Sequence, residues 1–163
     1  MKYVYNVRSA TKGVDLREIL SLLSRKKAYS FLNEGDWLQG GCGLLAQALH
    51  KIMPEYSIKV VGRYKGNVYD HLVLKLADGC FFDANGLQTK EALLRNCQYE
   101  WLWTKPLFIT SPDWNLLKAN DVLASESVVI AFSRYIVKSL RIDVDLSLLT
   151  TTQNKYYLIK QDV

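Results

Sequence analysis

Apolar residues recur three or four positions apart in several stretches of the chain, a spacing that predicts amphipathic helices. The first stretch covers 15–27 and begins at Asp15, whose carboxylate is suited to cap a helix N-terminus. The second covers 42–53, and the longest covers 125–141. A shorter helix is expected at 90–96. Helices are therefore expected in both halves of the chain.

Strand-like runs, rich in β-branched and aromatic residues, fill much of the region between these helices. They cover 57–64, 68–76 and 80–84, and two more are expected near the chain ends, at 2–7 and 154–159. Short polar segments separate the three central runs, which favours antiparallel neighbours. Helices followed by antiparallel strands and then by more helix predict an α+β fold.

Length and composition limit the class of protein. Residues 1–163 are expected to form a single domain, because one domain takes about 100–200 residues. The 49% hydrophobic and 23% charged content is typical of a folded, water-soluble protein. The longest apolar run, Val128–Phe132, is too short to cross a bilayer, and the charged start does not resemble a signal peptide. We therefore expect a cytoplasmic protein without a membrane partner.

The net charge of +5 is confined to one end of the chain. Residues 1–27 contain seven basic and two acidic side chains, whereas the other 136 residues contain fourteen of each. A basic end is able to meet nucleic acid or an acidic partner. No exposed aromatic residues are interleaved with these charges, and the rest of the chain is neutral, which disfavours nucleic acid. A solvated amphipathic helix is the simpler interpretation.

Cysteines and histidines are few, which shortens the search for a catalytic site. Cys42, Cys80 and Cys97 form no Cys-x-x-Cys pair, so neither a disulfide scaffold nor a zinc site is expected, and no cofactor is implied. Cys80 falls on a leucine-rich strand face and Cys97 at a helix end, so both are expected to be buried. The chain has two histidines, His50 and His71.

Cys42 has the position of a nucleophile. It follows Gly40 and Gly41 and opens a predicted helix, where the helix dipole and free N–H groups favour a thiolate. The glycines are expected to leave the sulfur open to a cleft. His50 lies eight residues along the same helix, about 12 Å away at about 1.5 Å per residue, so it cannot serve as the base. His71 is the remaining candidate.

The register of the hairpin around Gly79 determines what lies beside His71. A two-residue turn would pair Leu74 with Asp83 and bury a carboxylate among leucines, which is costly. A three-residue loop, 77–79, with Gly79 in the left-handed conformation, instead pairs Leu74 with Phe82. Asp83 then lies diagonal to His71, within reach of its ring.

Other side chains complete the predicted site. Asn85 is expected directly across from His71, as an alternative orienting group or a cleft residue. Gln39, three residues before Cys42, is expected to stabilise an oxyanion together with the Cys42 N–H. The Trp37 side chain is expected to form part of the wall of the cleft. Trp101 and Trp103 are open to two interpretations, a substrate groove or core packing.

These residues resemble the papain-like cysteine peptidase superfamily, and more closely its transglutaminase-like and arylamine-acetyltransferase-like branch. The resemblance covers about residues 36–87 and is carried by QGGCGLLAQALH and DHLVLKLADGCFFDANG. It implies a small α+β domain with the Cys at the N-terminus of a central helix packed on an antiparallel sheet. It also implies Cys42 as nucleophile, His71 as base and Asp83 as third member. The family's glutamine usually lies farther upstream of the Cys than Gln39 does.

Two classes of function follow from this interpretation. The first is a cysteine-dependent acyl-transfer enzyme, a peptidase, deamidase or transglutaminase-like hydrolase acting on an amide or isopeptide of a protein. The resemblance adds that such small enzymes are often toxins, effectors or phage-encoded modifiers, sometimes delivered into a host cell. The alternative is a non-enzymatic binding protein or inhibitor on the same fold, in which Cys42 is not catalytic and the basic end and aromatic tract bind the partner.

Overall fold

A computed structural model describes residues 14–63, 69–100 and 106–149 of the chain. The helices are α1 (Leu16–Leu23), α2 (Lys26–Tyr29), α3 (Cys42–Ile52), α4 (Lys90–Glu100), α5 (Trp114–Ala119), α6 (Glu126–Leu140) and a 3₁₀ helix (Leu146–Leu149). The strands are β1 (Ser57–Arg63), β2 (Tyr69–Lys75), β3 (Phe81–Asp83), β4 (Gly86–Gln88) and β5 (Leu107–Thr110). None of the helices in the described ranges has the length and apolar character needed to cross a bilayer.

The five described strands form one sheet in the order β4-β3-β2-β1-β5, and every neighbouring pair is antiparallel. Together with the helices, this sheet confirms the α+β class. The predicted helices at 15–27, 42–53 and 125–141 are present as α1–α2, α3 and α6. The strands predicted at 2–7 and 154–159 lie outside the described residues.

Each face of the sheet is covered by different helices. On one face, Leu72, Leu74 and Phe82 belong to the main core, which also contains the buried sides of α1, α3 and α6. On the other face, a smaller cluster joins the sheet to α4 through Leu93 and Cys97. Cys97 is buried, as predicted. The central strand β2 thus carries apolar side chains on both faces.

The hairpin between β2 and β3 has the predicted register. Leu74 pairs with Phe82, and the N–H of Gly79 donates to the Leu76 carbonyl at 3.1 Å. Gly79 has a φ of 84°, which a residue without a Cβ adopts without strain. Cys80 is only partly buried, because it lies in the loop beyond the last paired residue, so its predicted core position is wrong.

Candidate active site

Helix α3 begins at Cys42, as predicted, and Gly41 is its N-cap residue. A Cβ at position 41 would lie 2.8 Å from the Asp36 carbonyl oxygen and 2.9 Å from the Trp37 Cα. The glycine therefore allows the preceding loop to pack against the helix end. Cys42 itself is only 5% exposed, which corrects the expectation of an open sulfur. The same close packing that needs a glycine also encloses the thiol.

A β-bulge on strand β2 lies immediately before His71. Val61 of β1 pairs with His71 and Gly62 pairs with Tyr69, so Asp70 is an extra residue in the ladder. Bulges bend a strand and redirect the side chains beside them. His71 is 1% exposed, and its ring is thus held by the sheet within the protein.

The His71 ring is hydrogen-bonded to Asp83, at the predicted diagonal position. Its Nε2–H donates to Asp83 Oδ2 at 2.8 Å, and both side chains are buried. Asp83 Oδ1 accepts two more hydrogen bonds, from the Asn85 backbone N–H at 2.7 Å and from Gln88 Nε2 at 2.8 Å. All three partners of the carboxylate are donors, an arrangement that suits its ionised form.

The interaction with the His71 side chain, together with the backbone N–H groups of Gly43 and Leu72, lowers the pKa of the Cys42 thiol. Because Nε2 of His71 is engaged by Asp83, the nitrogen that faces the thiol is Nδ1. The backbone donors come from the first turn of α3 and from strand β2. The sulfur therefore lies among three donors that all favour its ionised form.

The electrostatics of the pair favour charge separation. Burial raises the pKa of Cys42, but the hydrogen bond and positive charge of His71 outweigh it, and the pKa lies below its ordinary 9.0. Burial lowers the pKa of His71, but its hydrogen bonds to Asp83 and Cys42 raise that pKa to about 10. Both shifts favour a thiolate beside an imidazolium over a neutral thiol beside a neutral imidazole. Such a thiolate is the nucleophilic form of cysteine.

Gln39 lies on the surface of the loop before α3. Asp36 organises this loop, because its Oδ1 accepts the N–H groups of Leu38 and Gln39, both at 2.7 Å. The Gln39 carbonyl in turn accepts from the Asp36 N–H at 3.0 Å. The backbone of Gln39 is thus fixed close to the start of α3, and its role as an oxyanion donor stays a prediction.

Trp37 is a core residue, so its predicted place in the wall of a cleft is corrected. It is 4% exposed, and its indole Nε1–H donates to the Leu23 carbonyl at 3.0 Å. The ring stacks on Phe132 of α6 at a centroid distance of 5.0 Å. Trp37 anchors the loop before Cys42 to α1 and α6.

Asn85 does not lie across from His71, so its predicted position is also corrected. Strand β3 ends at Asp83, and Asn85 is exposed in the tight turn that leads to Gly86 of β4. The turn allows the backbone N–H of Asn85, rather than its side chain, to bond the Asp83 carboxylate. Its contribution to the site is therefore made by the main chain.

Sequence reasoning missed Gln88 and Asn96. Gln88 is buried on β4 and donates to Asp83, while its Oε1 accepts from Asn96 Nδ2 at 2.6 Å. Strand β4 has three residues, too few for an alternating pattern to be recognised. The sequence signal available was Gly86, a glycine two positions before the polar side chain of Gln88. In the structure Gly86 has a φ of 98°, which is typical of a tight turn before a new strand.

The connection between α5 and α6, residues 120–125, crosses the first turn of α3. A Cβ on Gly43 would lie 2.2 Å from the Val122 carbonyl oxygen, so the two backbones are in close contact. The Ala124 N–H donates to Gln47 Oε1 at 3.0 Å, which fixes the connection to α3 a turn farther along. This connection is part of the enclosure around the start of α3.

Metal binding has no obvious place in the part of the chain that the structure describes, where His, Cys, Asp and Glu side chains form no group able to hold an ion. Trp101 and Trp103 lie outside the described residues. Comparison of the chain with protein-family models, with curated proteins and with solved structures finds no match. The functional interpretation depends on the geometry of Cys42, His71 and Asp83.

Proposed function

We propose that this protein is a cysteine-dependent acyl-transfer enzyme with a papain-like, transglutaminase-like arrangement of its catalytic groups. The observation that carries the proposal is the buried series in which Cys42 interacts with His71 and His71 is hydrogen-bonded to Asp83. A nucleophile beside a base that a third group orients is the general pattern of acyl-transfer sites. The three residues belong to three separate elements, so the series depends on the whole fold.

In this proposal the Cys42 thiolate attacks the carbonyl carbon of an amide. A carbon–sulfur bond forms, and the carbonyl electron pair moves to the oxygen. When the oxyanion collapses, the carbon–nitrogen bond breaks, and the leaving nitrogen takes the proton held at His71 Nδ1. Water or an amine then attacks the thioester, gives its proton to His71 and releases the thiolate. Hydrolysis and amine transfer differ in this second step alone.

Stabilisation of the oxyanion is assigned to backbone and loop groups at the start of α3. The N–H of Cys42 lies in the first turn of the helix, where N–H groups have no intrahelical acceptor. Gln39 is the proposed second donor, since its backbone is fixed close to the helix start and its side chain reaches the surface. Two such donors would bind negative charge that develops on the oxygen.

Asp83 orients the imidazole and stabilises its positive charge. Its carboxylate accepts from Nε2–H and so keeps Nδ1 as the nitrogen that exchanges a proton with sulfur. The substrate class proposed is an amide or isopeptide of a protein or peptide, in keeping with the papain-like resemblance. No cofactor takes part in the proposed steps.

A second candidate function is binding without catalysis, and one surface favours it. Lys27 Nζ lies 5.8 Å above the Phe31 ring, which in turn is 5.4 Å from Tyr135 of α6. Phe31 thus packs between α2 and α6. The exposed basic residues of these two helices and their caps are Arg25, Lys26, Lys27, Arg134, Lys138 and Arg141. Such a surface attracts acidic partners.

Alkylation with iodoacetamide over a range of pH, followed by intact-mass and peptide analysis, tests the enzyme proposal. Cys42 is expected to react well below the ordinary thiol pKa of about 8.5, because its thiolate is already formed. Cys80 is the control within the molecule: it is more exposed, but burial and the neighbouring Asp78 raise its pKa. Reaction of Cys42 only at the pH where Cys80 reacts would contradict the proposal.

Acylation by an activated ester tests the chemical step. The wild-type protein is expected to release the alcohol in a burst and to carry an acyl adduct on Cys42, whereas Cys42→Ala should show neither. The variant should keep its fold, since it loses only one sulfur atom. An adduct of equal yield on the variant would favour the binding function.

A further inference from the structure

Gln88 lies on the same face of the sheet as the His71–Asp83 pair. It is opposite Phe81 in the β3–β4 ladder, and Phe81 lies two residues before Asp83 on β3. Residues two apart on a strand share a face. The three polar side chains therefore form a diagonal row across β2, β3 and β4, which ends at the sheet edge under α4.

Two hydrogen bonds lead from α4 to the carboxylate, which His71 approaches from the other side. Asn96 Nδ2 donates to Gln88 Oε1 at 2.6 Å, and Gln88 Nε2 donates to Asp83 Oδ1 at 2.8 Å. A flipped Gln88 amide would put its oxygen against the carboxylate and its NH₂ group against the Asn96 donor, so both contacts would become repulsive. The acceptor-only carboxylate thus selects the Gln88 amide orientation, and Asn96 supports it by donating to Oε1.

We infer that Gln88 is a positioning residue of the proposed active site, which holds the Asp83 carboxylate so that Oδ2 faces His71 Nε2. Asn96 on α4 supports this position of the Gln88 amide by donating to its Oε1. The inference rests on the proposed function. With the Asn85 N–H, Gln88 occupies Oδ1 fully and leaves Oδ2 as the oxygen for the imidazole.

The change Gln88→Met tests this role, because methionine has a similar length and no donor. The chain has two histidines, so ring-nitrogen NMR gives one pair of signals for His71 and one for His50, an internal control bonded to the Tyr56 carbonyl at 2.7 Å. In the variant, the His71 titration midpoint is expected to fall by at least about one pH unit, as the opposing charge is less well placed. Ultraviolet absorbance of the Cys42 thiolate should appear at correspondingly higher pH, and Asn96→Ala should shift both signals in the same direction by less.

A matched control separates positioning from general loosening of this region. Thr89 follows Gln88 and caps α4 by accepting the Ala92 N–H at 3.2 Å, without contact to the carboxylate. Thr89→Val is expected to lower the melting temperature and to leave the His71 midpoint unchanged. A Gln88→Met protein that keeps the wild-type His71 and Cys42 midpoints would overturn the inference. If wild-type Cys42 itself titrates as an ordinary thiol, the proposed function fails instead.

Discussion

At the scale of single residues, the Asp83 carboxylate is the group whose charge organises the site. It accepts from His71, from the Asn85 backbone and from Gln88, and these donors approach both of its oxygens. An amide in the same place has one acceptor atom and one donor group, so it cannot satisfy all three. The site therefore depends on the negative charge as well as on the shape of this side chain.

The change Asp83→Asn is expected to lower the rate of ester acylation by about 10²–10⁴-fold without abolishing it. The new NH₂ group faces the Nε2–H of His71, and two donors cannot bond to each other. The ring then carries its proton on Nδ1, so its acceptor nitrogen no longer faces the sulfur. Stopped-flow measurement of the burst gives the rate. Asp113→Asn is the matched control, because Asp113 caps α5 and asparagine is an equally good cap. Full activity of Asp83→Asn would remove this carboxylate from the proposed mechanism.

The central residues of the site could be predicted because each has a local signal. Cys42 follows two glycines at a helix start, and the leucine pattern of one hairpin places Asp83 beside His71. Trp37 could not be placed, since its ring is buried by Phe132, which is 95 residues farther along the chain. Gln88 required knowledge of a strand too short to leave a pattern.

At the scale of elements, the contact between α3 and the 120–125 connection requires the glycine at position 43. Gly43→Ala places a Cβ 2.2 Å from the Val122 carbonyl oxygen, so the connection must move away from the helix. We expect lower thermal stability together with faster labelling of Cys42 by a bulky maleimide. The Gly43 N–H that donates to the sulfur is retained.

Gly79→Ala is the control for the previous change. Position 79 has a φ of 84° and open space around its Cβ, so alanine there strains the hairpin by roughly 1 kcal/mol but displaces nothing. Its Cys42 labelling should equal that of the wild type. If the maleimide labels Cys42 of the Gly43→Ala protein no faster than Cys42 of the wild type, the 120–125 connection does not limit access to the thiol.

The long elements of the fold were predictable, and so was the short strand β3, but β4, β5 and α5 were not. Helices α3 and α6 and strands β1 and β2 carry enough apolar positions to show their period. Strand β5 and helix α5 have four and six residues, and β5 is only half-buried at the sheet edge. Such elements form because a neighbour pairs with them, and their own sequence carries little of that information.

At the scale of the whole molecule, the Cys42–His71 pair makes stability depend on pH. The raised pKa of His71 contributes stability below its unfolded value of 6.5, and this is lost as pH rises to about 10. The lowered pKa of Cys42 contributes stability above its unfolded value of 9.0, and this is lost as pH falls through the lowered pKa. Between pH 6.5 and 9.0, the fall in folding stability due to His71 and the rise due to Cys42 have equal slopes and cancel at every pH where Cys42 is ionised.

Urea unfolding at a series of pH values is therefore expected to show a decline in this contribution between pH 9.0 and about 10, of roughly 1 kcal/mol per pH unit, because His71 alone changes its proton binding there. Cys42→Ala should lose the compensating rise below pH 9.0, so its decline is expected to begin at lower pH. Parallel curves for the two proteins up to pH 9.0 would mean that the pKa of Cys42 is not lowered in the folded state.

The enclosure of Cys42 has a consequence for oxidative damage. A thiolate reacts with peroxides far more readily than a thiol, and an exposed one is converted through sulfenic acid to irreversible products. Here the sulfur of Cys42 is packed beneath protein atoms, since the residue is only 5% exposed. Peroxide is therefore expected to oxidise Cys42 more slowly than it would oxidise an exposed thiolate of the same pKa.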